Sequence, residues 1–331
     1  MSSTRTIEKL PSEREDLAGR ILALLKEKEN EKPVRKVALQ FPEGLKRRAY
    51  EISTALKKAG YEVLISGEPC WGACDLDLDL MKSSDVLIHI GHAPVDEREN
   101  VIFEYFSQDF DISRLKEVIP TLESERVGLI TTIQHVHMLD EIIQFFREKS
   151  IKCIIEEGSE RTPFKGQVLG CTFEAAKNTG CSEILYIGTG IFHPLGVHLA
   201  TGARVIAFDP YTCSIEIPDE RRLLLKRHAL IEKSKGARSF GILLSKKSGQ
   251  RREELAIRLA GLSDKADIIE IGEITPDALM NLGYDAYVNT ACPRLAYDDQ
   301  TRFPAPVLSP QEFEIVCDAR EWEDFEIDEI S

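Results

Sequence analysis

No run in this 331-residue sequence approaches 18 consecutive apolar residues, so a membrane-spanning helix is not expected. The opening residues, MSSTRTIEKLPSERED, lack the apolar centre of a secretory leader, and a cytoplasmic protein is expected. Positive charge is in short supply. There are 42 Lys and Arg against 56 Asp and Glu, a formal charge of −14. That argues against general nucleic-acid binding, which needs a basic face to displace counterions, and suits a basic protein as partner better. Two phosphate-binding fingerprints are incomplete. GTGIFH (188–193) begins G-x-G, but His193 stands where the third glycine of a dinucleotide loop belongs, and LLSKKSGQR (243–251) lacks G-x4-G-K-[ST]. A consecutive cluster motif is also broken. EPCWGACDLDL (68–78) reads C-x3-C and then places Asp77 where C-x3-C-x2-C needs a third cysteine. Eight cysteines in a reducing compartment do not predict a disulfide framework, which leaves core packing and metal ligation as their roles.

What is present is a soluble composition, 43% apolar and 30% charged. Short β-rich runs alternate with amphipathic stretches. Candidate strands are 37–41, 62–66, 85–90, 127–132, 152–157, 183–188, 204–209, 240–245, 267–272 and 286–290. Most are continuous apolar runs, as in strands covered on both faces of a parallel sheet. Between them, LKRRAYEISTALKKAG carries Leu45, Ala49, Ile52 and Leu56 on one stripe and ends at Gly60. Strand, polar turn and helix recur from residues 37, 127 and 240. The reading is an α/β protein of three similar domains, 1–120, 121–225 and 226–331, with parallel sheets flanked by helices. Residues 1–34 read as an N-terminal helix and charged linker, and 215–236 as a helical connection. Residues 312–330 carry nine carboxylates against one Arg and read as a solvated acidic helix or tail.

The cysteines divide by setting. Cys153 lies within a strand, and Cys181, Cys213 and Cys317 read as structural. Cys74 (WGACDLD), Cys171 (VLGCTFEAA) and Cys292 (VNTACPRLAYDD) sit in loops, one per unit. In parallel α/β units the carboxyl ends of strands collect functional groups. Three thiolates from three units are a candidate ligand set, and three unrelated loop cysteines are the competing reading. A cubane cluster held by three cysteines leaves one iron open, whereas structural zinc takes four closed ligands.

The motifs QFPEGL (40–45), WGACDLD (71–77), IHIGHAP, LGCTF (169–173), GTGIFHPLG (188–196), LLSKKSGQR and NTACPRLAYDD (289–299) together resemble archaeal 2-(3-amino-3-carboxypropyl)histidine synthase, the family of the first step of diphthamide biosynthesis. The resemblance runs from about residue 36 to residue 310. It implies a pseudo-threefold arrangement of the three domains around a central [4Fe–4S] cluster, with Cys74, Cys171 and Cys292 as ligands and Cys70 as an extra. It also implies that S-adenosylmethionine is cleaved at its γ-carbon. The resulting 3-amino-3-carboxypropyl radical adds to C2 of a histidine imidazole in translation elongation factor 2, and methylthioadenosine is released. An electron donor and a homodimer are implied as well. Quinolinate synthase, a lyase with three α/β domains and a three-cysteine cluster, is the rival enzyme class, and the contexts WGACDL and TACPRL favour the transferase. A non-catalytic iron–sulfur partner or electron carrier is a third reading.

Other loop residues have two readings each. Gly188 and Gly190 either let the backbone approach adenosylmethionine or make a tight turn. Lys247, Gly249 and Gln250 either hold the methionine carboxylate and amino group or form a solvated turn. Arg294 either pairs with that carboxylate or tunes the cluster. His92 and His193 follow strands and are candidates to line the site. His89 reads as core, and His135 and His137 as capping or surface residues rather than an i, i+2 metal pair. Trp71 either shields the cluster or packs inside.

Overall fold

The computed structural model describes residues 16–96 and 98–330. Among the described residues, thirteen strands form three separate sheets. The first holds β1 (Lys36–Gln40), β2 (Glu62–Ile65), β3 (Val86–Ile90) and β4 (Val101–Glu104) in the order β2-β1-β3-β4. The second holds β5 (Arg126–Thr131), β6 (Lys152–Ile154), β7 (Glu183–Ile187), β8 (Arg204–Phe208) and β9 (Ile215–Glu216) in the order β6-β5-β7-β8-β9. The third holds β10 (Phe240–Ser245), β11 (Ala266–Ile271), β12 (Ala286–Asn289) and β13 (Val307–Leu308) in the order β11-β10-β12-β13. Each sheet thus begins with the same swap, its second strand outside its first. The pairing is parallel except for β9, which runs antiparallel to β8.

All ten candidate strands correspond to observed ones. The sequence reading missed β4, β9 and β13, which are edge strands of two to four residues. A short edge needs little apolar covering, so it leaves little pattern. β3, β7 and β10 are buried along their whole length, as their unbroken apolar character requires. The stripe on the helix Ala49–Lys58 packs as expected, with Ala49, Ile52 and Leu56 buried against β1 and β3. The helix Leu17–Glu29 covers the same core through Leu17, Ile21 and Leu25. The part of the N-terminal reading that falls on residues 1–15 lies outside the described residues. The connection near 215–236 contains the helix Arg221–Lys235.

The acidic terminus is not a solvated tail. Glu312 is fully buried and takes both Nε (2.6 Å) and NH2 of the equally buried Arg227, which also donates to the carbonyls of Ala296 (2.6 Å) and Val307 (2.8 Å). Asp328 is buried against Arg252, and Ile327 and Ile330 enter the interior. Buried carboxylates need a fixed cation, and here three arginines from the body supply one: Arg227 for Glu312, Arg252 for Asp328 and Arg258 for Glu314. Asp318, Glu321, Glu323, Asp324 and Glu326 keep the exposed character expected of the segment, and Glu329 is half-buried.

Candidate metal and substrate site

Three loops bring Cys74, Cys171 and Cys292 to one cavity of about 670 Å³. The Cys74 loop follows β2 and ends where the helix Leu78–Lys82 begins. Asp77 is the N-cap of that helix. Its carboxylate accepts from Leu80 N (2.9 Å) and from the Ser66 hydroxyl (2.6 Å). The residue that breaks the consecutive cysteine motif therefore has a local task of its own. Cys171 sits in the tight turn bridged by Leu169 and Thr172. Cys292 comes after β12, beyond Thr290 and Ala291, and its carbonyl accepts from the Asn289 side chain at 2.8 Å.

The thiols feel one another. Burial pushes Cys171 up to about 11 and Cys292 up to about 12, and for Cys292 the neighbouring Cys74 and Cys171 add to the effect. Burial also raises Cys74, opposed by the Gln250 amide, which donates to its sulfur at 3.2 Å. Three mutually close sulfurs without disulfides are costly as bare thiolates and favourable around a cationic metal group. The donor set therefore fits an iron–sulfur cluster with three protein ligands. The cavity beside it is also polar in an unfinished way. Gln167 lines it and is buried, yet neither its amide nitrogen nor its oxygen has a partner among the described residues. A bound polar group would relieve that cost.

The residues singled out from sequence fall in different places. Gly249 packs on the Cys74 backbone: its amide donates to the Cys74 carbonyl at 3.2 Å, and a Cβ there would sit 2.5 Å from Cys74 Cα. Gln250 meets the sulfur itself. Lys247 instead pairs with Asp75 (2.9 Å) and Glu273 (2.6 Å), so its ammonium holds the first unit to the third. Trp71 is exposed and joins the same contact, its indole donating to Glu273 at 3.1 Å. His193 lines the cavity, stacked on Tyr186 with ring centroids 6.0 Å apart, and burial lowers it to about 4. Gly188 and Gly190 flank Thr189, which lines the cavity. Gly190 has φ of 78°, a conformation that favours glycine. Arg294 lines the cavity, lies 4.7 Å above the Phe192 ring and pairs with Asp298 at 2.8 Å. His92 lines the cavity as well, whereas His89 lies in the core of the first unit. His135 and His137 turn to different partners, Tyr211 (2.8 Å) and Asp109 (2.7 Å).

The sequence reading missed Arg161. It lines the cavity, its charge lowers the Cys171 thiol against the effect of burial, and it donates to the Gly249 carbonyl at 3.0 Å. Its charge opposes the upward shift of both Cys74 and Cys171, and ERTPFKG, without cysteine or histidine, gave no reason to select it. The terminal residues were missed as well. Ile330 N donates to the Cys171 carbonyl at 2.7 Å, and Glu329 accepts from Phe173 N at 2.9 Å.

The pattern that defines the diphthamide synthesis protein family matches residues 41–327. The chain belongs to this family. Among its relatives, the 2-(3-amino-3-carboxypropyl)histidine synthase of Pyrococcus horikoshii is 37% identical over 307 residues, covering 89% of each chain. Subunit 1 of the synthase of Encephalitozoon cuniculi is 30% identical over 291 residues, covering 84% of this chain and 82% of its own. The crystal structure of Dph2 from Pyrococcus horikoshii with a 4Fe–4S cluster superposes with a TM-score of 0.89 at 36% identity, covering 96% of this chain and 94% of that one. Among the described residues of this diphthamide synthesis family member, no helix is long and apolar enough to cross a membrane.

Proposed function

We propose that this chain transfers the 3-amino-3-carboxypropyl group of S-adenosylmethionine to imidazole C2 of a histidine in translation elongation factor 2, releasing methylthioadenosine. The observation that carries the reading is the convergence of one loop cysteine from each of the three α/β units on a single cavity, in a chain 37% identical to an archaeal synthase of that product.

Cys74, Cys171 and Cys292 are the ligands in this reading, with the three domains, 1–120, 121–225 and 226–331, disposed in pseudo-threefold fashion around them. When bound, a [4Fe–4S] group with one open iron supplies the electron that breaks the sulfur–γ-carbon bond of adenosylmethionine. The protein does the rest by position and exclusion. Gln250 donates to the Cys74 sulfur and the Arg161 guanidinium places its charge by Cys74 and Cys171, which offsets the negative charge of three thiolates. Arg294 and the loop around Gly188, Gly190 and His193 form the wall available to the sulfonium substrate, with the methionine carboxylate beside the Arg294 guanidinium. Lys247 holds the Cys74 loop to the third unit through Asp75 and leaves substrate contact to others. The apolar part of the wall, Pro42, Leu45, Ala93, Val95 and Phe106, excludes water from a reactive carbon radical. A homodimer, a separate electron donor and a cytoplasmic setting complete the proposal.

The test is anaerobic purification, then dithionite, S-adenosylmethionine and archaeal elongation factor 2. Methylthioadenosine and a mass gain of one aminocarboxypropyl group on the factor are expected from the wild type. Both are expected to vanish in Cys74→Ala, Cys171→Ala and Cys292→Ala. An iron–sulfur protein that leaves adenosylmethionine intact would overturn the reading.

A further inference from the structure

A chain of side chains in the first unit fixes the hydrogen positions on two histidines. Gln40 is fully buried at the end of β1. Its amide nitrogen donates to the Asp75 carbonyl at 2.6 Å, and its amide oxygen accepts from the Asp77 backbone N–H at 3.3 Å. One backbone acceptor and one backbone donor thus set which end of the amide is which. The same oxygen lies 3.0 Å from His89 Nδ1, and an oxygen without hydrogen can only accept, so His89 carries its proton on Nδ1. His89 Nε2 is then a bare lone pair. It lies 3.0 Å from His92 Nδ1, which must therefore be the donor. In a neutral imidazole the other nitrogen is then unprotonated. His92 Nε2 has no hydrogen-bond partner among the described residues, and His92 lines the cavity that holds the three cysteines. Burial keeps both rings neutral, lowering His89 to about 3 and His92 to about 4.

The result is a base-form nitrogen, oriented from the backbone outward and open to the cavity. The transfer reaction proposed above, on which this inference rests, needs such a group. Its balance is redox-neutral overall. The sulfur–carbon bond of the sulfonium breaks, a bond forms between that carbon and imidazole C2, and the C2–H bond breaks. The sulfonium charge leaves as one proton, and the electron supplied at the start is returned to its iron–sulfur source when the ring regains aromaticity. We propose that His92 Nε2 receives the C2 proton of the target histidine, with His89 and Gln40 as the residues that hold it in the accepting tautomer. Gln40 cannot take the proton on, so the relay orients the base and the proton leaves again through the cavity.

The same two rings and the Cys70 thiol place their ligand atoms within 4.8 Å of one another, the spacing of a metal site. A metal held through His89 Nε2 and His92 Nδ1 would need both as lone pairs, and in the structure these atoms hydrogen-bond each other. With that ligand pair the two readings differ in the proton on His92.

The experiment has two arms. In the first, reduced enzyme is given adenosylmethionine and elongation factor 2 whose target histidine carries hydrogen or deuterium at C2. His92→Gln and His92→Asn are expected to lower the aminocarboxypropyl groups transferred per methylthioadenosine formed by about 100-fold, the scale of a general base. A C2 deuterium isotope effect larger than in wild type should accompany the loss. Equal transfer ratios in wild type and both variants would sink this inference alone. A wild type that transfers nothing would sink it together with the proposed function. In the second arm, histidine-¹⁵N NMR of cluster-free protein is expected to show His92 with a protonated Nδ1 and a bare Nε2. The opposite tautomer, or zinc taken up by cluster-free wild type and not by Cys70→Ser, would overturn the proposal without reference to activity.

Discussion

The side-chain amide of Gln250 donates to the sulfur of Cys74 across 3.2 Å, although 176 positions separate them in sequence. A donor to a charged sulfur contributes about 1.5–3 kcal/mol, and it favours the more negative, reduced state of a cluster bound there. Gln250→Leu should therefore lower the midpoint potential, by about 60 mV for each 1.4 kcal/mol lost in a one-electron couple. Redox titration followed by electron paramagnetic resonance measures this. An unchanged potential would show that the amide does not act on the ligand sulfur.

Gly249 lies so close to Cys74 that a Cβ would meet its Cα at 2.5 Å and its carbonyl oxygen at 3.0 Å. Both neighbours are backbone and cannot swing away. Gly249→Ala should push the Cys74 loop outward and reduce iron and sulfide content per chain after reconstitution, with the folded state retained by circular dichroism. Gly60→Ala, at a distant helix end with open space around it, should retain iron despite the strain of its φ of 100°.

Asp328 and Arg252 tie two cysteine loops to the terminal segment. Arg252 pairs with Asp328 at 2.6 Å and also donates to the carbonyls of Thr290 (2.8 Å) and Ala291 (3.1 Å), beside Cys292. The next residues hold the Cys171 turn through Ile330 N and Glu329. Asp328→Ala leaves a mostly buried guanidinium short of its anion, a loss of about 3–5 kcal/mol by analogy with other buried pairs. Urea unfolding should report that loss. Hydrogen exchange should rise at both 169–173 and 290–294 and stay unchanged in the first sheet.

Acid should destabilise the fold through its buried histidines. Burial lowers His89 to about 3, and His92, His135 and His193 to about 4, from the ordinary 6.5. The unfolded chain takes up protons below pH 6.5 that the native state refuses, so the stability these groups support is full above that pH. It is lost as pH falls toward 4, by up to about 1.4 kcal/mol per pH unit for each histidine. Urea midpoints should drop between about pH 7 and about pH 5 and stay level between about pH 7 and about pH 8 as far as these groups govern them. His193→Phe and His135→Phe should each make the decline shallower.

Local pattern determined much of this protein. Unbroken apolar runs such as FGILLS and EILYIG need cover on both faces, and each became a central or fully buried strand. The three loop cysteines stood out because each followed strand-rich sequence with turn chemistry around it. The rest was decided in three dimensions. Nothing within ERTPFKG marks Arg161, because its role comes from meeting Cys171 and Gly249, which belong to other segments. The acidic terminus read as solvated because carboxylates are costly to bury, and the structure reverses that reading for Asp328 and Glu312 through arginines 76 and 85 positions away. The protonation pattern of His89 and His92 likewise follows from Gln40, 49 positions before His89, and from the backbone of Asp75 and Asp77. Hydrophobic periodicity acts over a few residues and is written in the chain. The partner of a buried charge, thiol or imidazole is set by how separate layers close on one another, and only the tertiary structure supplies it.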